Sequence, residues 1–395
     1  MNPTIQRTAA PDPLDFGLDD SQQRYRQLAR RIAAERLLPG YQRREQGGCV
    51  ERELMVELGR LGLIAPEAPE HLGGRGLDRL TAGIVTEEIA RGDVNVAFLQ
   101  VVGSLASQIL ADSASIDLAA DWVPSICTGE RIVGIGLSEP AAGSDAGMTT
   151  MRARRERRGY VLSGQKSMTF CMQASGAIVF ARTGREQSRS RGISAFLVPL
   201  DAQGVTRQRF DDLGSTAAGR GSACFDEVWI PESHLLGDEG NGFGQVMRGF
   251  DFSRALIGLQ CIGAAQVSVE ETWSYVSRRN AFDQPLSRFQ GVSFPLAEAE
   301  TLLTAGRLLC RQTLSLKDRG LAHTSQAAMC KWWIPKISSE IIQSCLMLHG
   351  QAGYRTDRPL QQRLRDVLGL QIGDGTAQIM KLIIARQRLG RELAP

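Results

Sequence analysis

Four stretches of the chain combine residue types that could do chemistry. In Gln371-Ile-Gly-Asp-Gly-Thr-Ala-Gln-Ile379 one acid, Asp374, stands between two glycines, directly before an apolar stripe of Ile379, Leu382, Ile383 and Leu389. Taken alone, this carboxylate reads as a helix N-cap, with Thr376 as the alternative cap. Gly136-Leu-Ser-Glu-Pro-Ala-Ala-Gly-Ser-Asp-Ala-Gly147 is rich in small residues that let a backbone approach a flat or phosphorylated ligand, and Ser138 and Ser144 add hydroxyls. It fits a plain strand followed by a glycine-rich turn equally well. In Arg278-Arg-Asn-Ala-Phe-Asp-Gln-Pro-Leu-Ser-Arg-Phe-Gln290, the Arg279 guanidinium suits a pyrophosphate through bidentate bonds, and also suits a surface ion pair. Leu348-His-Gly-Gln-Ala-Gly-Tyr354 is a compact turn between helices.

Other chemistries find no support. No glycine fingerprint of the dinucleotide or P-loop kind follows a strand. The eight cysteines are scattered, with no Cys-x-x-Cys pair and no Cys/His metal spacing, so they read as small buried hydrophobes in a reducing compartment and no metal is expected. A net charge of +3 over 395 residues implies no nucleic-acid partner. The polar, proline-bearing N-terminus lacks the apolar stretch of a signal peptide, and no run of eighteen apolar residues occurs. A cytoplasmic protein with no membrane span is expected. The run Arg152, Arg154, Arg155, Arg157 and Arg158 reads as a solvated hairpin edge rather than a phosphate site, and Arg185, Arg189 and Arg191 as an exposed loop.

These stretches must be positioned by elements of two kinds. Residues 1–17 read as a flexible N-terminus and 18–129 as a helical domain. There Asp19, Asp20 and Ser21 offer an N-cap, Tyr25, Leu28, Ala29, Ile32 and Ala33 share one face, and a second helix fits Glu53 to Leu61. Residues 130–235 change to short β-type runs (Ile132–Leu137, Tyr160–Ser163, Ala177–Arg182, Ser194–Pro199, Ala223–Ile230), as in a small antiparallel barrel or sandwich. Residues 236–395 return to longer helices, including a stripe of Leu259, Ile262, Val269, Trp273 and Val276 and helices over Phe294–Leu321 and Met329–Leu348. The fold class is α+β and multi-domain, a β domain inserted between an N-terminal helical domain and a C-terminal one.

The four stretches, in this order on this frame, resemble the acyl-CoA dehydrogenase family from about Leu18 to Leu393. Phe225-Asp-Glu-Val-Trp-Ile-Pro231 before Leu236-Gly237, Tyr275 with Arg279 and Phe282, and Arg365-Asp366 ahead of Gly375-Thr376 carry the same likeness. The resemblance implies a C-terminal four-helix bundle, FAD as cofactor, an acyl-CoA substrate, an electron-transfer flavoprotein as acceptor, and a homo-oligomer, commonly a dimer of dimers. It implies that Ile135, Gly136, Leu137 and Ser138 face the flavin, and that Ser144 lies near both the ring edge and the pantetheine arm. Arg279, Phe282 and Gln290 would hold the pyrophosphate and adenine of a neighbouring subunit's FAD. Thr376 and Gln378 would contact its phosphate and ribityl region. Arg254 would lie near the acyl end of the substrate site, with Gly375 also against substrate.

This sequence departs from the family pattern at three places. Met168, Thr169 and Phe170 stand where Trp-Ile-Thr is usual against the ring. Met347 and Gln351 stand where Gln and Gly are commoner in the other cofactor-clasping turn. The catalytic glutamate is Asp374, shorter by one methylene, or roughly 1.5 Å; the family's alternative base position is Ser253, which cannot serve. The resemblance thus turns Asp374 from a cap into the base that removes the α-proton while hydride leaves Cβ for flavin. A shorter base suits a substrate that brings its hydrogen closer, and Asp-Gly-Thr-Ala-Gln-Ile is similar to dehydrogenases of alicyclic acids such as cyclohexanecarboxyl-CoA. The competing expectations are a carrier-protein thioester dehydrogenase, a flavin oxidase of the nitroalkane-oxidase kind, and a non-catalytic flavoprotein.

Overall fold

The chain is described from a computed structural model that covers residues 17–184, 191–390 and 392–394. The expectations for residues 1–16, Arg185 and Arg189 lie outside these. Helix α1 (Asp20–Ile32) begins where the sequence places a cap: Asp19 accepts the Gln22 N–H at 2.8 Å, and Gln22 accepts the Asp19 N–H at 3.1 Å. The chain does not stay α-helical to Pro39. It passes through a π turn at Ala33–Leu37 and a 3-10 turn at Leu38–Gly40, because proline has no N–H to give to a carbonyl one turn back. Then follow α2 (Tyr41–Gly47), α3 (Arg52–Arg60), α4 (Arg79–Gly92), α5 (Val94–Ser113) and α6 (Ile116–Cys127).

The middle region holds β1 (Val133–Gly136), β2 (Arg152–Glu156), β3 (Gly159–Met168), β4 (Gly176–Arg182), β5 (Ile193–Pro199), β6 (Val205–Arg209), β7 (Gly221–Pro231) and β8 (Leu235–Leu236). Among the described residues they make one eight-stranded sheet in the order β6-β7-β3-β2-β4-β5-β8, with β1 beside β4. Most pairs are antiparallel, as expected. β2 meets β4 in parallel at Arg152 opposite Arg182, and the longer parallel pairing is that of β1, which runs beside β4 from Val133 opposite Gly176 to Gly136 opposite Val179. β1 enters straight from α6 rather than from a hairpin, so no antiparallel return is imposed. β4 and β5 are buried on nearly every residue, which is why both read as continuous apolar runs. The arginine-rich run forms a β2–β3 hairpin, and Arg154 and Arg155 pair with Glu156, Glu227, Glu232 and Glu239.

The C-terminal region contains α7 (Gly242–Arg278), a two-stranded hairpin β9 (Asn280–Ala281) and β10 (Gln284–Pro285), then α8 (Gln290–Asp318), α9 (Thr324–Leu348), α10 (Pro359–Gly369) and α11 (Ala377–Leu389). α9 packs against α7, α8, α10 and α11. Leu259, Ile262, Val269 and Val276 are buried as their spacing predicts, while Trp273 is half-buried. Two helices, α5 and α7, are long and apolar enough to cross a membrane, and 83% and 89% of their apolar windows are buried inside the fold. Cys127, Cys171, Cys261, Cys310, Cys330 and Cys345 are buried free thiols. Cys49 is exposed and Cys224 half-buried, so the uniform buried reading fails at those two. Asp366 of α10 joins the three regions: it accepts from Tyr41 Oη at 2.6 Å, Asn95 Nδ2 at 3.0 Å and Ser215 N at 2.5 Å.

Candidate active site

Asp374 is not the cap of α11. Thr376 is, its hydroxyl accepting the Ile379 N–H at 3.5 Å. Asp374 instead lies two residues ahead of that cap with φ +55°, followed by Gly375 at φ +100°. An aspartate tolerates this left-handed region better than most residues, and glycine without cost. At φ +100° any other residue at Gly375 would be strained, and a Cβ there would also lie 2.5 Å from the Met380 methyl, which would have to move aside. The Asp374 carboxyl is freed from capping and half-buried. Burial pushes it above the ordinary carboxylate range, and the charges of Lys331 and Arg254 pull against that rise.

Those two cations come from neighbouring helices. Arg254 of α7 is buried, gives Nη1 to Asp251 Oδ1 at 2.8 Å, and has an Nε with no hydrogen-bond partner among the described residues. Asp251 is held in turn by the Thr324 hydroxyl at 2.6 Å. Lys331 of α9 is 1% exposed and gives Nζ to Leu370 O at 2.6 Å and Gly375 O at 3.2 Å. Sequence reasoning passed over Lys331, although a signal was there. It falls on the same face as Ala327, Ala328, Ile334 and Ile337, where a charged residue has no business unless it is paired. Ser253 is buried and offers only a hydroxyl, directed at Phe250 O at 3.4 Å.

The glycine-rich segment leaves the end of β1 and is anchored from behind. Glu139 is bound by Lys166 Nζ and Thr150 N, each at 2.7 Å, by Met151 N at 3.0 Å, and by the Thr149 hydroxyl. Lys166 also reaches Leu137 O at 3.0 Å. With that anchor buried, Ser138 and Ser144 are exposed, Ile135 is half-buried, and Gly136 and Leu137 are covered. The three departing residues straddle the end of β3: Met168 is its last residue, and Thr169 and Phe170 open the turn that follows. Met168 is buried, its sulfur 2.9 Å from where a Cβ of Gly134 would sit. Thr169 is half-buried, and Phe170 is buried at φ +54° with its ring stacked 6.3 Å from Phe98. Of the three, Thr169 has the most surface to offer a ligand.

The remaining sequence-predicted residues gather elsewhere, on the outside of the C-terminal helices. Arg279, Phe282 and Gln290 are exposed on the β9–β10 hairpin and its flanks, and Phe282 is 89% exposed. The turn containing Met347 and Gln351 is drawn to the same end by Tyr275, whose ring stacks on His349 at 4.3 Å. Met347 and Gln378 both line a groove of about 970 Å³ between α9, α10 and α11, floored by Trp332 and Leu364. A guanidinium beside an open aromatic ring is the donor set for a pyrophosphate joined to a planar base. The exposed hydroxyls of Ser138 and Ser144 suit the same kind of molecule. These residues fit FAD, in two groups that one chain holds apart: one near the β sheet, one at the outer end of α7.

Comparison with known proteins agrees with this layout. Family models described as the acyl-CoA dehydrogenase N-terminal, middle and C-terminal domains match residues 19–130, 134–228 and 240–389. The chain is 34% identical over 371 residues to the short-chain specific acyl-CoA dehydrogenase of Rattus norvegicus, covering 93% of this chain and 90% of the relative. It is 31% identical to the benzylmalonyl-CoA dehydrogenase of Aromatoleum aromaticum, over 95% and 99% of the two chains. The butyryl-CoA dehydrogenase of Megasphaera elsdenii superposes with a TM-score of 0.91 at 28% identity, over 95% of this chain and all of that one.

Proposed function

Because the chain belongs to the acyl-CoA dehydrogenase family, we propose that it dehydrogenates an alicyclic or α-branched acyl-CoA, with Asp374 as the base. The coarser reaction, FAD-dependent α,β-dehydrogenation of an acyl-CoA thioester, is that of the family. When bound, FAD supplies the acceptor for the hydride that leaves Cβ. The chain's own task is the proton at Cα. Asp374 takes it; burial raises this carboxyl toward the working pH, and the charges of Lys331 and Arg254 oppose that rise. Ser138 and Ser144 stand exposed at the mouth of the glycine-rich segment to orient the flavin and the thioester arm.

The observation that carries the substrate reading is the base itself. A carboxylate about 1.5 Å short of the glutamate reach still occupies the loop before α11, and the family's alternative base position is Ser253, which offers only a hydroxyl. Misplacement by about 1 Å costs roughly 100-fold in rate, so the acyl group must make good the distance. A ring or an α-branch pushes Cα–H toward the protein, which a flexible straight chain does not. The resemblance to a benzylmalonyl-CoA enzyme is compatible with bulk near the reacting carbons. The exposed Arg279 and Phe282 support a homo-oligomer in which each copy completes a neighbour's FAD site, and an electron-transfer flavoprotein is the acceptor we assign.

Anaerobic titration of the FAD absorbance with hexanoyl-, isobutyryl- and cyclohexanecarboxyl-CoA tests this. Faster and fuller bleaching by the branched or cyclic thioester is expected, and preference for hexanoyl-CoA overturns the substrate assignment. Reoxidation by an electron-transfer flavoprotein, with slow reaction toward oxygen, is expected of the reduced enzyme. Rapid peroxide formation would mark an oxidase instead.

A further inference from the structure

Lys331 is a charged group buried in the helical bundle without a carboxylate in direct contact. Taking an ammonium out of water costs several kcal/mol unless something nearby repays it. Its hydrogen-bond partners are two backbone carbonyls, Leu370 O at 2.6 Å and Gly375 O at 3.2 Å. Leu370 caps the end of α10 and Gly375 stands two residues before α11, so a single Nζ pins both sides of the seven-residue crossing, 370–376, that carries Asp374. Within that crossing Asp374 and Gly375 are both left-handed, the conformation most in need of an external hold.

We propose that Lys331 is a positioning residue for the reaction: through the Leu370 and Gly375 carbonyls its ammonium fixes the α10–α11 crossing, and so sets where the Asp374 carboxyl stands and which charge it faces. The proposal rests on Asp374 being the base. The titratable and charged groups facing the pair are few. Lys331 meets Asp374 from the crossing and Arg254 and Cys261 from α7, and Asp374 meets Lys331 and Arg254. Burial pushes the Cys261 thiol up to about 12, so it is neutral. Arg254 is partly engaged by Asp251 at 2.8 Å, which leaves Lys331 as the cation without a carboxylate partner of its own. Burial lowers the Lys331 ammonium to about 8, and the Asp374 charge opposes that fall, as expected if the two groups sense one another across the loop.

Three substitutions separate the clamp from the charge. Lys331→Met removes both, Lys331→Gln keeps a donor for the carbonyls without charge, and Lys331→Arg keeps charge and donors. The probe is the FAD-loaded enzyme with the acyl-CoA that wild type reduces best. For Met and for Gln, the acid limb of kcat/KM should move to higher pH. A loss of about 10-fold at pH 7 should be recovered as the pH rises, since kcat/KM reports the free enzyme's base. Lys331→Arg should restore the wild-type limb. A substrate-free readout accompanies it: infrared titration of the Asp374 carboxyl, assigned by difference with Asp374→Asn, should show the same upward shift. A rate loss uniform with pH, or an unmoved carboxyl in both Lys331→Met and Lys331→Gln, overturns the proposal. If no acyl-CoA reduces wild type but the carboxyl still shifts, the dehydrogenase assignment falls, and with it the role in the reaction, while the hold of Lys331 on the Asp374 carboxyl stands. Should Lys331→Met not fold, Lys331→Gln alone decides.

Discussion

The Nζ of Lys166 lies 2.7 Å from a Glu139 carboxylate oxygen, and both side chains are withdrawn from solvent behind the glycine-rich segment. Hydrogen bonds from Lys166, Thr149 and Thr150 outweigh burial and bring the Glu139 carboxyl down to about 2, while burial lowers the Lys166 ammonium to about 8. The two shifts differ in meaning, since the glutamate gains from its donors more than it loses, whereas the lysine loses more than its single acid returns. The pair's worth is therefore geometric: it fixes where the chain leaves β1 and so where Ser138 and Ser144 stand. Breaking it leaves one buried charge unpaired, at a cost of about 3–5 kcal/mol. Lys166→Met should lower the urea midpoint accordingly and lose FAD on gel filtration. The Glu139 contribution is present above about pH 4.5 and is lost as pH falls toward 2, so wild type should retain its bound FAD at pH 5.

Lengthening the base tests the substrate reading from the protein side. Asp374→Glu restores the reach that the family pattern usually has, on a backbone whose left-handed turn at 374 and 375 stays as it is. We expect rates with hexanoyl-CoA to rise relative to cyclohexanecarboxyl-CoA by about 10-fold or more. Asp374→Asn should retain FAD and lose about 1,000-fold in the reductive half-reaction, the scale of a positioned base. Stopped-flow flavin reduction measures both. An unchanged substrate ratio in Asp374→Glu would detach specificity from the length of the base.

The sequence was most informative where periodicity or a local motif decides the structure. The α1 cap at Asp19, the buried stripe of α7 and the β4 and β5 runs are all local patterns, and each appears where expected. Strand β6, Val-Thr-Arg-Gln-Arg, escaped notice because it has no apolar alternation to read, β8 because it is two residues long, and β2, Arg-Ala-Arg-Arg-Glu, was legible only as a charged hairpin edge. The parallel pairing of β1 with β4 is a long-range choice that no local pattern encodes. At the site, Asp374 was found through its surrounding motif, not through its own chemistry, which suggested a cap. Lys331 lies 43 positions earlier in the sequence, and only the packing of α9 against the α10–α11 crossing brings it to Asp374. Met168 is buried as the last residue of β3, whereas Phe170 is carried inward against Phe98 by the left-handed turn after the strand, and neither residue type alone could choose the face.

Asp366 gives a pH-dependent stability with a definite sign. Burial raises its carboxyl to about 7 from an ordinary 3.8, in spite of donors from Tyr41 and Ser215. Between those pH values the native carboxyl holds a proton that the unfolded chain has released. The native state therefore binds more protons, and stability from this group falls as pH rises from about 4 to 7. Asp366→Asn cannot ionise and should flatten that fall. Its amide also turns a donor toward Tyr41, Asn95 or Ser215, costing about 1–3 kcal/mol throughout. Urea midpoints at pH 4.5 and 7 should therefore converge in the variant, with both lower than wild type at pH 4.5. A variant that keeps the wild-type slope would assign the pH dependence to another group.

Phe282 joins two unfavourable features that a free monomer has no reason to keep. Its backbone is left-handed, φ +50°, a conformation costing a bulky residue on the order of 1–3 kcal/mol. Its ring is also 89% exposed, touching Phe289 edge-on with centroids 6.2 Å apart. Asp283 beside it is left-handed too, so the hairpin turn presents the ring outward by its backbone geometry. The strain is offset if the ring is buried against a neighbour's cofactor, with Arg279 supplying charge alongside. Phe282→Gly removes both the strain and the ring, and so separates the two effects. It should raise or maintain the thermal midpoint of FAD-free protein while weakening FAD retention by about 10- to 100-fold, the range for losing a buried aromatic anchor. Arg279→Ala should weaken retention in the same direction without the gain in stability. FAD content after gel filtration, together with sedimentation velocity, measures retention and assembly at once. A Phe282→Gly protein that holds FAD as tightly as wild type and sediments identically would show that the ring meets no neighbour.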